Sequence, residues 1–480
     1  MKRINGKTEV IGLIGHPVEH TLSPVIHNTI SNEIGRNAVY VPFHVHDEAT
    51  GGVLTDASEI EALVKGAFNL NIKGMNITVP YKSEVIPYLD DIDPLAERIG
   101  AVNTLVRTAK GYKGYNTDMP GLYMALQKKG VSIEGSTAVV LGAGGAARAV
   151  IAMLLNYGAM RVYLVNRSYD KAVLLADEMN RLFSDVIKDG RGVIPISVDN
   201  IDSVKVSVSG SENDDPGYLM FQCTSLGLKE GDGLLIDDDE LYKRAAYGFD
   251  LVYNPAETPF TKKLASLGIS CDNGLMMLLY QGVIAYQLWM GIELSEEVVE
   301  KARMNLCKSI YGENIILTGY MGAGKTTVGH CLAEELGMDY IDTDVYIVDK
   351  EKRSIPEIFE SEGEEGFRNI ETEAIRELGR SCYNTVIATG GGAVLREENA
   401  KLLKDMGTVF YLYATPEETF ERVKGDKNRP LLNSQSEEEL RQKIVDMINV
   451  RYPAYMRSAD HRIETDGKSA KKIADEIRNF

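Results

Sequence analysis

The sequence predicts an α/β fold made of three units whose sheets are largely parallel. Apolar β-branched runs alternate with segments of helical period along the chain, which is typical of such folds. Two glycine-rich turns, at 142–147 and 319–326, each follow an apolar strand and precede a helical run. With 480 residues, the chain is long enough for two or three domains with their own cores.

The three predicted units begin with the apolar strands EVIGLIG, TAVVLG and NIILTG. We assign residues 1–120 to the first unit, 121–292 to the second and 313–480 to the third. Residues 293–312 start with acidic residues, carry basic residues later and end at Gly312, which is typical of a capped helix. The connection is therefore predicted to be a compact helical linker and not a flexible tether.

Composition excludes several classes of function. The chain is 44% hydrophobic and 25% charged, which is ordinary for a soluble globular protein. Its net charge of −18 argues against nucleic acid or anionic lipid as a general partner. The start lacks the apolar run of a secretory signal, and no window approaches the roughly 18 apolar residues of a membrane span. We expect a cytoplasmic protein without nucleic-acid or membrane partners.

Cysteine and histidine usage gives no sign of a disulfide framework or a metal centre. The five cysteines are scattered without a CxxC pair, which fits reduced thiols. Five of the seven histidines lie between His16 and His46. No cysteine accompanies them and their spacing matches no usual ligand pattern. We therefore interpret them as surface or hydrogen-bonding residues.

The first glycine-rich turn, LGAGGAARA, has the features of a dinucleotide-binding loop. Gly142, Gly144 and Ala147 match the pattern G-x-G-x-x-G/A between a strand and a helix. The first glycine permits the tight turn, the second admits the pyrophosphate, and the small third residue lets the helix pack on the strand. The residues predicted to contact the cofactor here are Gly142, Ala143, Gly144, Gly145 and Ala146.

The end of the next strand, RVYLVNRS, bears on the choice of cofactor. NAD-binding domains place a carboxylate there for the ribose hydroxyls, whereas this strand ends in Asn166, Arg167 and Ser168, with Lys171 nearby. Arg167 can pair with a 2′-phosphate, so the sequence predicts NADP over NAD. The alternative is that Arg167 and Lys171 only line the start of a helix.

Three polar residues of the first unit suggest carbonyl reduction. Lys82 follows the apolar strand and proline turn of GMNITVPYK, Asn103 lies in GAVNTLV, and Asp118 lies in GYNTDMPG. A lysine beside an aspartate can protonate a carbonyl oxygen during hydride transfer. Taken singly, each of these residues is better explained as a surface lysine or a turn residue.

Seven motifs together resemble shikimate dehydrogenase in order and spacing over residues 8–292. These are GHPVEHTLSP, GMNITVPYK, GAVNTL, GYNTD, LGAGGAARA, NRS and NGLMMLLYQGVIAYQLWMG. The resemblance implies a substrate domain, then an NADP-binding Rossmann domain whose last helices return to it, with Lys82 and Asp118 as catalytic pair. It implies shikimate contacts from Thr21, Ser23, Asn76, Thr78, Asn103, Tyr253 and Gln281, and nicotinamide contacts from Gly274 and Met277.

The sequence departs from that family in places. Thr21 stands where the family usually has serine, and QCTSLGL replaces NxTxxGM, bringing in Gln222 and Leu228. NTDMPG also replaces the commoner NTDGxG. None of these changes removes the lysine or the aspartate. A quinate/shikimate dehydrogenase with relaxed substrate or cofactor preference is the alternative within this class.

The second glycine-rich turn, GYMGAGKT, matches the phosphate-binding pattern G-x-x-x-x-G-K-[ST]. In such loops the backbone amides hold phosphate, the lysine reaches the β/γ oxygens and the hydroxyl binds Mg²⁺. The residues predicted to bind ATP here are Gly322, Ala323, Gly324, Lys325, Thr326 and Thr327. The loop alone leaves GTPase, motor, ATPase and kinase open.

Residues after the loop favour a kinase for a small acid. Asp342 and Asp344 lie two apart at a predicted strand end. One can then serve the metal through water while the other meets substrate hydroxyls. Arg368, Arg429 and Arg451 are candidates for anion recognition, although each alone fits an exposed ion pair.

The motifs GYMGAGKTTVG, DTD, IPEIFESEGEEGFRNIE, TGGGAV, RPLL and RYPAY together resemble shikimate kinase over residues 313–480. The resemblance implies that shikimate is bound by Asp344, Arg368, Gly391, Gly392 and Arg451. It also implies that Arg429 approaches ATP from a lid, balancing charge with Lys325. A gluconate kinase-like protein is the alternative, and the paired arginines weigh against it.

The sequence therefore predicts a bifunctional enzyme. The N-terminal part is expected to reduce 3-dehydroshikimate to shikimate with NADPH, and the C-terminal part to phosphorylate shikimate with MgATP. The alternative from another class is a regulatory binder, a dehydrogenase-like sensor fused to a nucleotide switch. Retention of Lys82, Asp118, Lys325 and Asp344 weighs against that alternative.

Overall fold

A computed structural model describes residues 4–46, 52, 56–187, 192–202, 204, 217–229, 231–424 and 436–480. The chain divides into two units, residues 1–306 and 307–480. The first unit holds two six-stranded sheets, and the second holds one five-stranded sheet. Helices accompany all three sheets, which confirms the predicted α/β class.

The first sheet is mixed, in the order β2-β1-β3-β5-β6-β4. Strands β1, β2 and β3 are parallel, whereas β3 and β5 pair antiparallel. Strands β5 and β6 also pair antiparallel, because a tight turn joins them. The strands are β1 (Glu9–Gly15), β2 (Ala38–His44), β3 (Gly74–Ile77), β4 (Asp91–Ile92), β5 (Thr104–Arg107) and β6 (Tyr112–Tyr115). The helices are α1 (Ser23–Glu33), α2 (Ala57–Asn69), α3 (Pro94–Ile99) and α4 (Asp118–Lys128).

The second sheet is wholly parallel, in the order β12-β11-β10-β7-β8-β9. Its central strand carries four consecutive residues, 138–141, that are fully buried, as expected for a strand covered by helices on both faces. The strands are β7 (Thr137–Leu141), β8 (Arg161–Asn166), β9 (Gly192–Ser197), β10 (Tyr218–Gln222), β11 (Ala245–Asp250) and β12 (Cys271–Asn273). The helices are α5 (Gly145–Asn156), α6 (Tyr169–Leu182), α7 (Asp239–Lys243), α8 (Pro259–Ser266) and α9 (Leu275–Met290).

A helix, α10 (Glu296–Tyr311), crosses from the first unit to the second. The third sheet is wholly parallel, in the order β14-β15-β13-β16-β17. Its strands are β13 (Asn314–Thr318), β14 (Asp339–Asp342), β15 (Thr385–Ala388), β16 (Gly407–Tyr413) and β17 (His461–Glu464). Its helices are α11 (Lys325–Leu336), α12 (Thr343–Glu351), α13 (Ile355–Ser381), α14 (Glu397–Met406), α15 (Pro416–Val423), α16 (Glu437–Ser458) and α17 (Ala470–Arg478).

Helix α9 packs against elements of the first sheet. The indole Nε1 of Trp289 donates to the Leu105 carbonyl at 2.9 Å, and Ser31 and Tyr286 share a hydrogen bond of 2.9 Å. The backbone of β3 lies against this indole at Gly74, where a β-carbon would overlap the ring. The contact between α9 and β3 therefore depends on the missing side chain of Gly74.

One histidine departs from its predicted surface or hydrogen-bonding role. His27 is fully buried, and neither ring nitrogen has a hydrogen-bond partner in the part of the chain described. Its ring stacks on Tyr40 with centroids 4.3 Å apart and lies 5.0 Å from the Trp289 ring. Burial lowers the pKa of His27 to about 3, so the imidazole is a neutral packing group at physiological pH.

Across the described ranges, no helix combines the length and apolar character needed to cross a bilayer.

Replacing Gly74 with alanine is expected to destabilise the first unit by about 1–3 kcal/mol, because the added methyl group must displace a buried indole. Trp289 is the only tryptophan in the chain, so its fluorescence reports this contact directly. Urea unfolding followed by tryptophan emission measures the effect. Gly66→Ala is the matched control, because a β-carbon at Gly66 meets open space. Equal stability of the two variants would contradict the proposed clash.

Candidate active sites

The first candidate site is centred on an ion pair at the N-terminus of α4. Lys82 Nζ lies 2.6 Å from Asp118 Oδ2, and both side chains are partly shielded. Asp118 is in the first helical turn, where the helix dipole favours a negative charge. The Lys82 carbonyl accepts the Val102 N–H at 2.8 Å, which joins the loop after β3 to the segment before β5.

Asn103 connects this ion pair to the rest of the site. Its Oδ1 accepts the backbone N–H of Thr117 at 2.8 Å, directly before Asp118. Its carbonyl accepts the Asn76 amide Nδ2 at 3.2 Å. The Tyr40 hydroxyl in turn donates to Asn76 Oδ1 at 2.8 Å, and all these groups are buried. The structure thus brings together the predicted residues Lys82, Asn76, Asn103 and Asp118.

The remaining predicted substrate residues lie on neighbouring elements. The Thr21 hydroxyl is 3.3 Å from that of Ser23, at the start of α1, and the Thr78 N–H donates to the Ile14 carbonyl at the end of β1. Gln281 packs on α4, because a β-carbon on Gly121 would lie 2.7 Å from the Gln281 backbone nitrogen. Tyr253 follows β11, and no hydrogen bond within the described ranges joins it to the ion pair.

The dinucleotide loop has the open geometry that a pyrophosphate requires. Gly142 has φ of +106°, and its missing side chain faces Thr224, where a β-carbon would lie 2.9 Å from Cγ2. Gly144 and Gly145 face open space, and no side chain caps α5, which starts at Gly145. Ala143 and Ala146 complete the loop, and Ala147 is fully buried.

The end of β8 carries the residues predicted to select the cofactor. Asn166 Nδ2 donates to the Ser168 carbonyl at 2.9 Å, while Arg167 and Lys171 are exposed beside the first turn of α6. Gln222, the departure from the family pattern, is buried, and its Oε1 accepts the Thr224 hydroxyl at 3.1 Å. Gly274 directly precedes α9, and Met277 packs on the apolar core of the second sheet.

A buried aspartate that sequence analysis missed supports the loop beside this site. Asp250 ends β11, and it accepts the Thr258 hydroxyl at 2.5 Å and the Val252 N–H at 3.0 Å. Burial raises the pKa of Asp250 to about 6, while these hydrogen bonds oppose the rise. The segment carrying Tyr253 is thereby tied to the end of β11. The only sequence signal was the aspartate in FDLVYNP.

The second candidate site is a cavity of about 650 Å³ beside the phosphate loop. Lys325 Nζ donates to the Gly319 carbonyl at 2.8 Å, and Gly324 precedes α11 with φ of +91° and no side-chain cap on that helix. Gly322, Thr326 and Thr327 line the cavity, and Ala323 is buried behind it. Asp342, Asp344, Arg368, Gly391, Gly392 and Arg451 also line it. Arg429 lies outside the described residues.

The sequence predicts both aspartates at a strand end, but only Asp342 belongs to the strand. Asp342 ends β14, and its Oδ1 accepts the Asp344 N–H at 3.0 Å as the N-cap of α12. Asp344 is therefore in the first turn of the helix, and both carboxylates line the cavity. Burial raises the pKa of Asp344 and the Asp342 charge raises it further, whereas Lys325 and Arg368 lower it.

Two further residues of this site were not among the predicted site residues. Glu371 is fully buried and lies 2.7 Å from Arg368, and burial raises its pKa while the arginine opposes the rise. Arg422 lines the cavity and donates to the Gly322 carbonyl at 3.1 Å. The spacing of Glu371 from Arg368 on α13 was a sequence signal that could identify Glu371. No such signal existed for Arg422.

Mg²⁺ fits the donor set at this cavity. The Thr326 hydroxyl lies 3.5 Å from Asp342 Oδ2, so two hard oxygen donors face the phosphate loop. The described residues contain no cluster of three histidine, cysteine or carboxylate side chains that could hold a metal without phosphate. This agrees with an ion bound by one or two protein ligands together with nucleotide phosphates.

The two sites and their sheets define an enzyme that joins a dinucleotide-dependent oxidoreductase to a P-loop kinase. Family models match as shikimate dehydrogenase substrate binding domain (13–105), shikimate / quinate 5-dehydrogenase (124–189), shikimate 5′-dehydrogenase C-terminal domain (274–302) and shikimate kinase (321–480). The NADP(+) shikimate dehydrogenase of Desulforamulus reducens is 38% identical over 299 residues, 62% of this chain and 95% of the relative. The chain belongs to the shikimate dehydrogenase family and carries a shikimate kinase domain at its C-terminus.

Solved structures agree with this assignment. Shikimate dehydrogenase from Aquifex aeolicus is 34% identical, with a TM-score of 0.51, over 62% of this chain and 99% of that one. A shikimate dehydrogenase in complex with NADP+ is 35% identical, with a TM-score of 0.54, over 64% and 98%. The predicted bifunctional enzyme, a shikimate dehydrogenase joined to a shikimate kinase, is thus confirmed. NADP is named for two of these relatives, in agreement with the predicted cofactor of the first part.

Replacing Asp250 with asparagine is expected to change how the stability of the first unit depends on pH. Because the pKa of Asp250 is raised in the folded state, the native state binds this proton more tightly than the unfolded state does. The stabilisation that follows is fully present below pH 4 and is lost as pH rises through 6. The loss amounts to about 3 kcal/mol between those limits. Urea unfolding should show that the free energy of unfolding of wild type, relative to that of Asp250→Asn, is lower at pH 8 than at pH 5. A constant difference between the two proteins would contradict the assignment.

Proposed function

We propose that the N-terminal part reduces 3-dehydroshikimate to shikimate with NADPH, and that the C-terminal part transfers the γ-phosphoryl group of MgATP to the 3-hydroxyl of shikimate. The observation that carries the first half is the short Lys82–Asp118 ion pair at the head of α4. The second half is supported by a single cavity that is lined by the phosphate loop, three carboxylates and three arginines.

Lys82 is the proton donor of the reduction. NADPH, when bound, supplies a hydride to the carbonyl carbon, and Lys82 Nζ protonates the oxygen that becomes the hydroxyl. Asp118 holds the ammonium in position at 2.6 Å. The substrate is oriented by hydroxyl and amide groups of Thr21, Ser23, Asn76, Thr78, Asn103, Tyr253 and Gln281.

The cofactor is held by main-chain groups and a few side chains. The Gly142–Ala146 loop and the uncapped start of α5 receive the pyrophosphate. Arg167 and Lys171, with Asn166 and Ser168, contact the 2′-phosphate, while Gly274 and Met277 lie against the nicotinamide. The exposed position of Arg167 beside α6 supports this assignment.

In the kinase part, alignment and charge stabilisation carry most of the catalysis. Asp344 orients the attacking hydroxyl and is the group nearest to its proton. Arg368 and Arg451, with the Gly391 and Gly392 backbone, bind the carboxylate of shikimate. Lys325 and Arg429 balance the charge of the transferred group, and Thr326 and Asp342, the latter through water, hold Mg²⁺, which screens the phosphates.

Quinate is the alternative substrate for the dehydrogenase part, because one matching family model covers shikimate and quinate enzymes together. The two acids differ around the ring, and hydroxyl and amide donors suit either. Parallel assays of quinate oxidation and shikimate oxidation decide between them.

Lys82→Ala and Asp344→Asn should separate the two activities. We expect Lys82→Ala to lower the dehydrogenase kcat by roughly 10²–10⁴-fold because a positioned proton donor is lost. Asp344→Asn should abolish most ADP release while sparing reduction. NADPH consumption with 3-dehydroshikimate, followed by ADP release on adding ATP, measures both steps in one cuvette.

Lys110→Ala and Asp349→Asn are the matched controls, since both residues are exposed and lie outside the two sites. Near-normal reduction by Lys82→Ala would overturn the proton-donor assignment. Wild-type protein that consumes NADPH but leaves shikimate unphosphorylated would overturn the second half of the proposal alone.

Arg167→Ala should weaken NADPH without weakening NADH. Loss of a charge-assisted pair with the 2′-phosphate is expected to raise the KM for NADPH by about 10-fold or more. Steady-state kinetics with each cofactor measures the ratio. Arg181→Ala, on the last turn of α6, is the control for a general loss of positive charge. Equal changes with NADPH and NADH would remove the role assigned to Arg167.

A further inference from the structure

Three consecutive glycines, Gly390–Gly392, form a turn after β15 on the wall of the kinase cavity. Two hydroxyl groups hold this turn through hydrogen bonds. The Gly390 N–H donates to Thr343 Oγ1 at 2.9 Å. The Gly391 carbonyl accepts the Tyr455 hydroxyl through a short hydrogen bond and Arg451 Nη1 at 3.3 Å.

These bonds fix the direction of the peptide between Gly391 and Gly392. In a trans peptide the carbonyl and the following N–H point in opposite directions. Because the Gly391 carbonyl is directed to α16, the Gly392 N–H points away from that helix. In the described chain, neither the Gly391 nor the Gly392 N–H donates to another residue, and both glycines line the cavity. The turn therefore offers unused donors to an anion.

Both hydroxyls are themselves rigidly placed. Thr343 is fully buried as the first residue of α12, between the two aspartates of the site. Tyr455 is 1% exposed, and its ring stacks on Tyr411 with centroids 4.8 Å apart and planes 8° apart. One hydroxyl thus ties the turn to the acidic pair, and the other ties it to the helix that carries Arg451.

We propose that Thr343 and Tyr455 are positioning residues for the kinase reaction, which orient the Gly390–Gly392 turn so that its N–H groups face the carboxylate of the hydroxy acid. The proposal rests on the function proposed for the kinase part. Neither residue contacts the reacting atoms, so both act through binding of the acid and not through phosphoryl transfer.

Tyr455→Phe and Thr343→Val test the proposal in the full chain, because each removes a hydroxyl with little change of shape. We expect the KM for shikimate to rise about 5- to 50-fold in each, since a buried partner is left unsatisfied. The kcat and the KM for MgATP should stay within about twofold of wild type, as expected for loss of ground-state binding. Thr343→Ser, which keeps the hydroxyl, should restore the lower KM.

A second measurement distinguishes a change in the orientation of the Gly390–Gly392 turn from a general loosening of the kinase site. Shikimate carboxamide is a neutral analogue that lacks the anion, so the oriented N–H groups should favour shikimate over it in wild-type enzyme. That preference should shrink severalfold in Tyr455→Phe and Thr343→Val. Tyr452→Phe, one turn earlier on α16 with its hydroxyl bonded to Arg462, is the control and should keep it.

The inference would be overturned if the preference for shikimate over the carboxamide were unchanged, or if the KM of both substrates rose equally. It would also be overturned if Thr343→Ser were as impaired as Thr343→Val. If Thr343→Val does not fold, Tyr455→Phe alone decides the result, with thermal unfolding as the check. Wild-type enzyme that fails to phosphorylate shikimate would instead overturn the proposed function, so the two failures are distinguishable.

Discussion

Both candidate sites depend on main chain that approaches its neighbours more closely than a β-carbon would allow. A β-carbon on Gly390 would lie 2.5 Å from Asp344 Oδ1, and one on Gly392 would overlap the Arg368 guanidinium. In the dehydrogenase part, Gly121 gives the same closeness between α4 and the backbone of Gln281. Because protein interiors are close-packed, these contacts determine where the polar side chains of each site can lie.

The two sites stabilise their partly buried charges in different ways. The Lys82–Asp118 pair is a simple one-to-one match at the head of a helix, where the dipole adds to the stabilisation of the carboxylate. The kinase cavity instead gathers Asp344 and Glu371 in surroundings that raise both pKa values, with Arg368 opposing the rise. Removing one partner there leaves a buried charge unpaired, so the kinase site is the more sensitive to loss of a single cation.

How much the sequence could predict follows from how local each signal is. The loops around Gly142 and Gly324 were predictable because strand, turn and helix are contiguous. The fold class followed from the alternation of strands and helices, although the antiparallel pairing of β5 and β6 in the first sheet did not. Arg422 reaches the kinase cavity only through tertiary packing, and His27 carries no sequence sign that its ring would be buried without a hydrogen bond. Asp344 was found, but its helical position depends on capping by Asp342.

An acidic chain that binds anionic ligands must attract them locally, because its net charge of −18 repels them at a distance. Two features of the structure supply that attraction. The helices α5 and α11 both begin at glycine-rich loops without a side-chain cap, which leaves their N–H groups for phosphate. Side-chain cations add to these groups: Arg368, Arg422 and Arg451 line the kinase cavity, and Arg167 is exposed beside α6. Since the net charge is repulsive at a distance, short-range hydrogen bonds from backbone N–H groups at helix starts and from a small set of arginines must supply the attraction in both parts.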